Sequence, residues 1–233
     1  MTTRLVKHQK LTKRQIKEDP LVTAAFLGTQ IWERQGTRIL LGLGAVVLAV
    51  LLVFFVSRTR AQSESRASSD IFRAEMSLAQ EDYPSAVQML REIVDSAPGT
   101  RAARDAMMLL GDAYAGQGKP AEAVTWYRRY LSKAGRDRDA KVAGLYGLAS
   151  ALEDRGDFIQ AAASYADAAK LGVNDNERGR AMLAEARCLG KAGQTQKAIE
   201  VYKEIQRLPV VERNTYNAAG VAMGELSASA PIR

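Results

Sequence analysis

Side chains able to perform catalysis are scarce in this chain of 233 residues. The one histidine, His8, lies in a basic N-terminal segment, so the remainder has no imidazole for a hydrolytic triad or a histidine zinc site. The one cysteine, Cys188, can form neither an intramolecular disulfide nor a multi-cysteine metal site. Its setting between Ala186 and Leu189 predicts a small core residue. We therefore expect no enzyme, no metal site and no cofactor.

Two further patterns resemble functional motifs only superficially. Gly42-Leu43-Gly44 stands inside an apolar run and follows no strand, and no Walker A sequence is present, so no nucleotide loop is predicted. Neighbouring carboxylates, Glu153 with Asp154 and Asp137 with Asp139, lie at a helix end and in a loop without the spacing of metal ligands. We interpret them as solvated surface charge and expect no small-molecule substrate.

The longest apolar segment runs from Ile39 to Val56 and contains no charge, amide or proline. Fourteen of its eighteen residues are Leu, Ile, Val or Phe, and as a helix it would be about 27 Å long, close to the hydrocarbon thickness of a bilayer. We predict a single transmembrane helix over residues 39–56, with a buried core helix as the alternative. A cleaved signal peptide is disfavoured because 38 residues precede the segment and no small-residue cleavage site follows it.

Charge is distributed unevenly on the two sides of this segment. Residues 1–38 carry eight basic and three acidic residues, a net charge of +5, whereas residues 57–233 carry 25 basic and 23 acidic residues, a net charge of +2. The larger part is nearly neutral, which argues against nucleic-acid binding. A short basic tail favours a cytoplasmic N-terminus and contact with anionic membrane lipid, although four arginines within residues 58–73 oppose this orientation in a strictly local count. We predict that the N-terminus is cytoplasmic and that the C-terminal domain lies on the opposite side of the membrane.

The segments that flank the span have weaker signals. Asp19-Pro20 is typical of a helix start, so residues 20–35 are predicted to form a short interfacial helix, with a disordered tail as the alternative. Residues 57–69 are polar but contain no glycine or proline. They form either a continuation of the transmembrane helix or a flexible linker.

A repeat with a period of 37 or 38 residues covers residues 70–208. In each of four copies an alanine is preceded by a small residue twelve positions earlier and followed by a large residue four positions later. The three sets are Ala86, Ala123, Ala161 and Ala198; Ala74, Gly111, Ala149 and Ala186; and Leu90, Tyr127, Tyr165 and Tyr202. Five positions before the alanine, three copies have glycine and the first has Glu81, where Tyr83-Pro84 is expected to supply the turn. The pattern predicts two helices of about thirteen residues per copy, with the copies stacked.

The second copy matches a known motif at Leu110, Gly111, Tyr114, Gly118, Ala123 and Tyr127. In these positions the chain resembles the tetratricopeptide repeat (TPR) family. The resemblance implies an all-α fold in which a single transmembrane helix is followed by an α-solenoid of about four TPR-like helix pairs and a C-terminal capping helix. We place the capping helix at residues 211–226, within a terminal region 209–233, with Tyr216, Ala219, Gly220 and Met223 as its apolar residues.

The copies are longer than the family period of about 34 residues. The extra three or four residues are placed at 101–103, 138–141 and 176–178. They are predicted to lengthen the first helix of the following pair by about one turn.

The resemblance also implies a groove, lined by the first helix of each pair, that holds a peptide or a partner protein. The positions carried over to this chain are Ile71, Glu75, Met108, Asp112, Tyr146, Ser150, Leu183 and Arg187. Acidic side chains fall in the first half of this groove and basic ones in the fourth copy: Glu75, Asp105 and Asp112, and Arg180, Arg187 and Lys191. One hypothesis is a polarised groove that fixes the direction of a bound segment. Ordinary solvated helix faces are the alternative.

The order of a short basic tail, one span and an exported repeat domain resembles the family of ancillary SecYEG translocon subunits. That resemblance implies a protein–protein interaction module that is anchored in the bacterial inner membrane with its C-terminal domain in the periplasm. It would assist protein translocation or recruit chaperones. Its partners would be translocon subunits, periplasmic chaperones and membrane lipid. The alternative is a structural or assembly subunit of a larger membrane complex.

Overall fold

The computed structural model describes residues 20–229, and within them the chain forms nine α-helices and no β-strand. The helices are α1 (Pro20–Ala79), α2 (Tyr83–Ser96), α3 (Arg101–Gly116), α4 (Pro120–Lys133), α5 (Arg138–Asp154), α6 (Phe158–Leu171), α7 (Asp175–Lys191), α8 (Thr195–Arg207) and α9 (Arg213–Ser229). The prediction of an all-α fold is confirmed. The expected basic tail falls largely on residues 1–19, outside the described residues. Contacts divide the chain into two units, with the boundary between Thr59 and Arg60.

The first unit contains the apolar part of α1. Among the described residues this is the one helix long and apolar enough to cross a membrane, with a mean hydropathy of 2.9 in a window that is 0% buried. Large side chains such as Leu41 and Val53 are 74% and 70% exposed. This segment is therefore not a buried core helix of the described chain. Residues 20–35 and 57–69, whose structure the sequence left open, are also helical and belong to α1.

The second unit is a stack of helix pairs. Its first pair consists of the last part of α1 and α2, the pairs α3–α4, α5–α6 and α7–α8 follow, and α9 stands at the end. From α2 onward each helix packs against the next, and α3 also contacts α5 while α7 contacts α9. The prediction of an α-solenoid of about four helix pairs with a terminal helix is confirmed.

Small residues allow helices of the stack to approach one another closely. Three copies of the small position are alanines without exposed surface: Ala74, Ala149 and Ala186. In α3 the same position is Gly111, where an added Cβ would lie 2.5 Å from Cε1 of Tyr127. A Cβ on Gly147 of α5 would come equally close to that ring atom. The Tyr127 ring therefore fills a space between α3 and α5, and joins the second helix pair to the third.

The first helices of the later pairs begin at side-chain caps. Thr100, Asp137 and Asn174 each accept a hydrogen bond from the backbone N–H three residues further on. The helices that follow, α3, α5 and α7, contain 16, 17 and 17 residues, whereas α2, α4, α6 and α8 contain 13 or 14. The extra residues of each copy lie in the first turns of these longer helices. The prediction that they lengthen the first helix of a pair is confirmed.

The turn inside the first pair has an unusual backbone conformation. Gly118, Gly156 and Gly193 make the equivalent turns with φ of 68°, 85° and 75°, and Glu81 adopts the same left-handed conformation with φ of 59°. The expectation that Tyr83-Pro84 supplies this turn is wrong, because these two residues already belong to α2. A left-handed residue is required here whatever its type, and a glutamate is strained by its Cβ.

Replacing Glu81 with glycine should stabilise the stack by about 1 kcal/mol, because glycine takes a positive φ without the clash of a β-carbon. The thermal unfolding midpoint of the full chain in detergent should rise by about 3 °C. Glu92→Gly, at an exposed position inside α2, is the matched control and should lower stability by about 1 kcal/mol. A lower midpoint for Glu81→Gly would contradict the assignment of strain to this turn.

The last helix begins and ends slightly later than predicted, at Arg213–Ser229, and packs against α8 and α7. Ala219 is buried as expected, but Tyr216 is 43% exposed and Thr215 is buried in its place. Tyr216, one of the apolar residues of the predicted capping helix, therefore does not belong to its buried face. Thr215 and Ala219 are four residues apart and share a helix face, and Tyr216 lies about 100° away from Thr215 around the helix axis.

Candidate partner-binding groove

The groove is the surface formed by the first helices of the four pairs, namely the part of α1 after Arg60 together with α3, α5 and α7. All the predicted groove residues lie on these helices: Ile71, Glu75, Asp105, Met108, Asp112, Tyr146, Ser150, Arg180, Leu183, Arg187 and Lys191. One half-buried apolar side chain occurs at the same repeat position of each pair: Ile71, Met108, Tyr146 and Leu183. The groove thus offers one apolar contact per helix pair.

A first cleft, of about 430 Å³, lies between α1 and α3. It brings together four of the predicted groove residues: Ile71, Glu75, Asp105 and Met108. The other lining residues were not predicted, and they include Glu64 from α1 and Tyr130 from α4. The Glu64 carboxylate accepts a hydrogen bond of 3.0 Å from the backbone N–H of Ala102, so it ties α1 to the first turn of α3. Glu64 stands before the repeat begins, and no feature of the repeat pattern marks it.

A second cleft, of about 450 Å³, lies between α5 and α7, and α6 also contributes to its lining. Two predicted residues, Tyr146 and Arg180, line it beside the apolar residues Val142, Ala143 and Ala168. Three other charged residues that line it are already engaged, since Arg138 donates to Glu177 at 2.6 Å and to Asp139 at 2.6 Å. The same guanidinium also donates to the Leu171 carbonyl at 2.7 Å. Arg180 forms no ion pair within the described part of the chain, so it is the uncommitted charge of this cleft.

Glu153 is the centre of a hydrogen-bond network beside the second cleft. Its side chain is 12% exposed and accepts from the Arg187 guanidinium at 2.8 Å and from Lys191 Nζ at 3.2 Å. The Tyr165 hydroxyl donates to the same carboxylate at 3.0 Å, and the Tyr165 ring packs edge-on against Tyr146 with centroids 5.5 Å apart. Burial acts to raise the pKa of Glu153, but the hydrogen bonds from Arg187 and Tyr165 hold that pKa below its ordinary value.

The interpretation of the paired carboxylates as solvated charge is wrong for Glu153, whereas the side chains of Asp137 and Asp139 are 43% and 86% exposed. Glu153 is the buried acceptor just described. Asp137 caps α5 and accepts from Arg104 at 3.2 Å, and the hydrogen bond from the Ala140 N–H lowers the pKa of Asp137. Asp139 pairs with Arg138 at 2.6 Å. Partners of this kind lie on neighbouring helix pairs or in the first turn of a helix, which a motif search for metal spacing does not detect.

Most acidic side chains of the groove also have partners within the chain. Asp105 pairs with Arg104 at 3.1 Å and with Arg101 at 3.6 Å. Asp112 accepts from the Tyr127 hydroxyl at 2.7 Å, although burial raises the pKa of Asp112. Of the six charged groove positions, only Glu75 and Arg180 have no ion pair or side-chain hydrogen bond among residues 20–229. The polarised groove is thereby reduced to one free acid in the first cleft and one free base in the second.

Cys188 has no exposed surface, and burial raises its pKa to about 12. Its assignment as a core residue is confirmed. Within the described part of the chain, no group of three or more His, Cys, Asp or Glu side chains is placed to hold a metal ion.

A stack of two-helix units joined by left-handed turns, with clefts on the surface of the first helices, defines a helical-repeat interaction scaffold. The sequence model of the tetratricopeptide repeat family matches residues 73–140 and 146–209, which is more than half of the chain. This protein therefore belongs to the tetratricopeptide repeat family, and the predicted recognition of that repeat is confirmed. The fold is that of a non-enzymatic family of protein–protein interaction modules.

Solved structures show the same fold. The TPR-like repeats of a protein assigned as a kinesin light chain from Podosopora anserina superpose with a TM-score of 0.55 at 18% sequence identity, covering 71% of this chain and 93% of that one. A point variant of those repeats gives the same TM-score and identity and covers 71% and 92% of the two chains. No curated protein matches the chain in sequence. At this level of identity the likeness concerns the fold alone.

Proposed function

We propose that this protein is a membrane-anchored interaction module that holds a segment of a partner protein in its groove. The observation that carries the proposal is the pair of clefts on one surface of the stack, of about 430 and 450 Å³. They lie on different helix pairs, between α1 and α3 and between α5 and α7. A ligand that occupies both must be an extended chain, with apolar side chains to place beside Met108 and Tyr146.

The two charged groove residues without partners among residues 20–229, Glu75 and Arg180, favour one orientation of the bound segment over the other. Glu75 lines the first cleft and Arg180 the second. A bound segment with a basic residue over the first cleft and an acidic residue over the second is favoured by electrostatic complementarity, whereas the reversed segment meets like charges at both sites. Arg187 and Lys191 contribute less than their charges imply, because the carboxylate of Glu153, which pairs with both, offsets one of the two positive charges.

The anchor in this proposal is the apolar part of α1. Its exposed leucine, valine and phenylalanine side chains suit lipid better than water, and the basic residues before it suit anionic headgroups. We place the protein in a bacterial inner membrane with its N-terminus in the cytoplasm and the stack in the periplasm. The basic N-terminal segment supports this orientation.

The role that fits this placement is assistance to protein translocation or recruitment of chaperones at the inner membrane, with translocon subunits or periplasmic chaperones in the groove. The order of basic tail, apolar helix and TPR stack supports it. A structural subunit of a larger membrane complex would use the same parts with a fixed partner. The identity and stoichiometry of the proteins that co-purify from mild detergent distinguish these two roles.

Reversing the two free charges together, Glu75→Arg with Arg180→Glu, should reduce the partner recovered with the full chain by roughly five- to tenfold, because each site then repels the charge it attracted. Recovery is measured by quantitative mass spectrometry after mild-detergent purification. Lys203→Glu on α8, an exposed charge outside the groove, is the control and should leave recovery unchanged. Equal recovery with all three proteins would contradict a charge-directed groove.

A further inference from the structure

Glu185 occupies a position that two other helix pairs give to leucine. It stands thirteen residues before Ala198, as Leu110 and Leu148 stand before the equivalent alanines of their copies. Leu110 has no exposed surface and Leu148 is 8% exposed. Glu185 is half-buried on α7, which packs against both α6 and α8. The second and third pairs thus place a leucine at this position, the first pair places the exposed Arg73 there, and the fourth pair places a half-buried carboxyl group.

The charged groups that face Glu185 come from both neighbouring helices. Asp167 and Lys170 of α6 act on it, and these two form their own ion pair at 2.8 Å. Glu204 of α8 faces it with a like charge. Glu225 of α9 acts on Tyr202 rather than on Glu185. In the part of the chain that the structure describes, the Glu185 carboxyl has neither a hydrogen bond nor an ion pair, so its charge is not balanced when it ionises.

These surroundings determine whether the stability of the folded chain rises or falls with pH. Burial, and then the charge of Glu204, raise the pKa of Glu185 to about 7, compared with about 4.3 for a glutamate in an unfolded chain. Between these two values the folded state binds more protons than the unfolded state, so stability falls as pH rises. The contribution of this group is complete below about pH 4.3 and is lost once the pH has passed through 7.

We propose that Glu185 is a pH-sensitive element that controls how tightly α7 packs against α6 and α8. With a proton bound, its neutral side chain fills the position that leucine fills in the second and third pairs. Without the proton, a charge without a partner is held between two helices beside Glu204, and the fourth helix pair loosens. Because α7 also carries Arg180 and Leu183, the groove contacts of that pair are subject to the same equilibrium. The inference concerns stability of the stack and holds whether or not the groove binds a partner.

Hydrogen exchange of the full chain in detergent micelles, followed by mass spectrometry between pH 5 and 8.5, tests this directly. After correction for the intrinsic exchange rate, the protection of α7 and α8 relative to α3 and α4 should fall about tenfold over this range in the unmodified chain. In Glu185→Gln, which keeps the shape but cannot ionise, the ratio should stay constant. The thermal midpoint of Glu185→Gln should also be compared with that of the unmodified chain at each pH. The difference between the two midpoints should be about 5 °C larger at pH 8.5 than at pH 5.

Two further variants complete the experiment. Glu204→Gln should move the midpoint of the pH transition to lower pH, because it removes the like charge that faces Glu185. Glu200→Gln, an exposed residue on the same helix, should leave the transition in place. Identical pH dependence in the unmodified chain and in Glu185→Gln would overturn the proposal. A loss of protection spread equally over α3, α4, α7 and α8 would overturn it as well.

Discussion

Replacing Tyr127 with alanine should destabilise the helical stack by about 3 to 5 kcal/mol, the range observed when a large buried aromatic side chain is truncated to alanine. The ring is 4% exposed and lies against two positions, Gly111 and Gly147, where a β-carbon would come within 2.5 Å of it. Neither glycine has a side chain that could move into the cavity. The unfolding midpoint of the full chain in detergent, followed by circular dichroism, should fall by roughly 10 °C.

Two tyrosine variants serve as controls for this result. Tyr127→Phe keeps the ring but removes the hydroxyl that donates to Asp112 at 2.7 Å, and it should cost about 1 kcal/mol. Tyr216→Ala, at a position that is 43% exposed, should change stability by less than about 1 kcal/mol. A midpoint for Tyr127→Ala within about 2 or 3 °C of that of Tyr216→Ala would mean that the ring does not join the second and third helix pairs.

Introducing arginine at both Leu48 and Leu51 should move most of the protein out of the membrane fraction. Each arginine near the middle of a span opposes insertion by about 2.5 to 3.5 kcal/mol, and the twelve large apolar residues that remain favour it by only about 0.3 to 0.6 kcal/mol each. The two terms are then nearly equal and the net drive for insertion disappears. Carbonate extraction of membranes from expressing bacteria, followed by immunodetection, measures the distribution.

The matched control is Leu48→Ala with Leu51→Ala, which shortens the same two side chains without adding charge. This variant should stay in the carbonate-resistant membrane fraction, because twelve of the fourteen large apolar residues are left and nothing opposes them. Retention of the arginine variant in that fraction would contradict the assignment of this helix as the anchor. Loss of the alanine variant from it would show that side-chain contacts with another protein, rather than hydrophobicity, hold the helix there.

The helix pairs are predictable from the sequence because the repeat encodes them locally. A small residue, an alanine and a large residue recur at fixed distances, and a glycine marks three of the four internal turns. These features reflect close helix approach and left-handed turns. Both are determined by residues within a single copy of the repeat. The same locality explains why the longer first helices could be placed correctly, since their caps at Thr100, Asp137 and Asn174 lie at the start of each insertion.

The state of the charged groove residues could not be predicted, because it depends on pairs of residues in different copies. Arg187 and Lys191 meet Glu153 from 34 and 38 residues further along the chain. No period or motif indicates which acid and which base face each other once the copies have stacked. The sequence therefore shows only which groove residues are charged. The structure shows that Glu75 and Arg180 have no ion pair or side-chain hydrogen bond within the described part of the chain.

The errors at Glu81 and Tyr216 have a different origin. At Glu81, proline propensity predicted a turn a few residues late, while the geometry of the helix pair imposes a left-handed residue at the position used by the other copies. At Tyr216, the residue type is apolar, but the contacts of α9 with α8 and α7 bury the face that contains Thr215 and Ala219 instead. Packing against neighbours outweighs the preference of a single side chain in both places.

Site-specific photo-cross-linking in intact membranes tests most directly whether the groove is where a partner protein binds. A photo-reactive amino acid replaces Met108 or Leu183 in the groove, or Glu92 or Glu200 on the exposed surfaces of α2 and α8. If the groove holds the partner, Met108 and Leu183 should give discrete adducts with another protein, and Glu92 and Glu200 should give none. Adducts from Glu92 and Glu200 alone, or the same adducts from all four positions, would contradict binding in the groove.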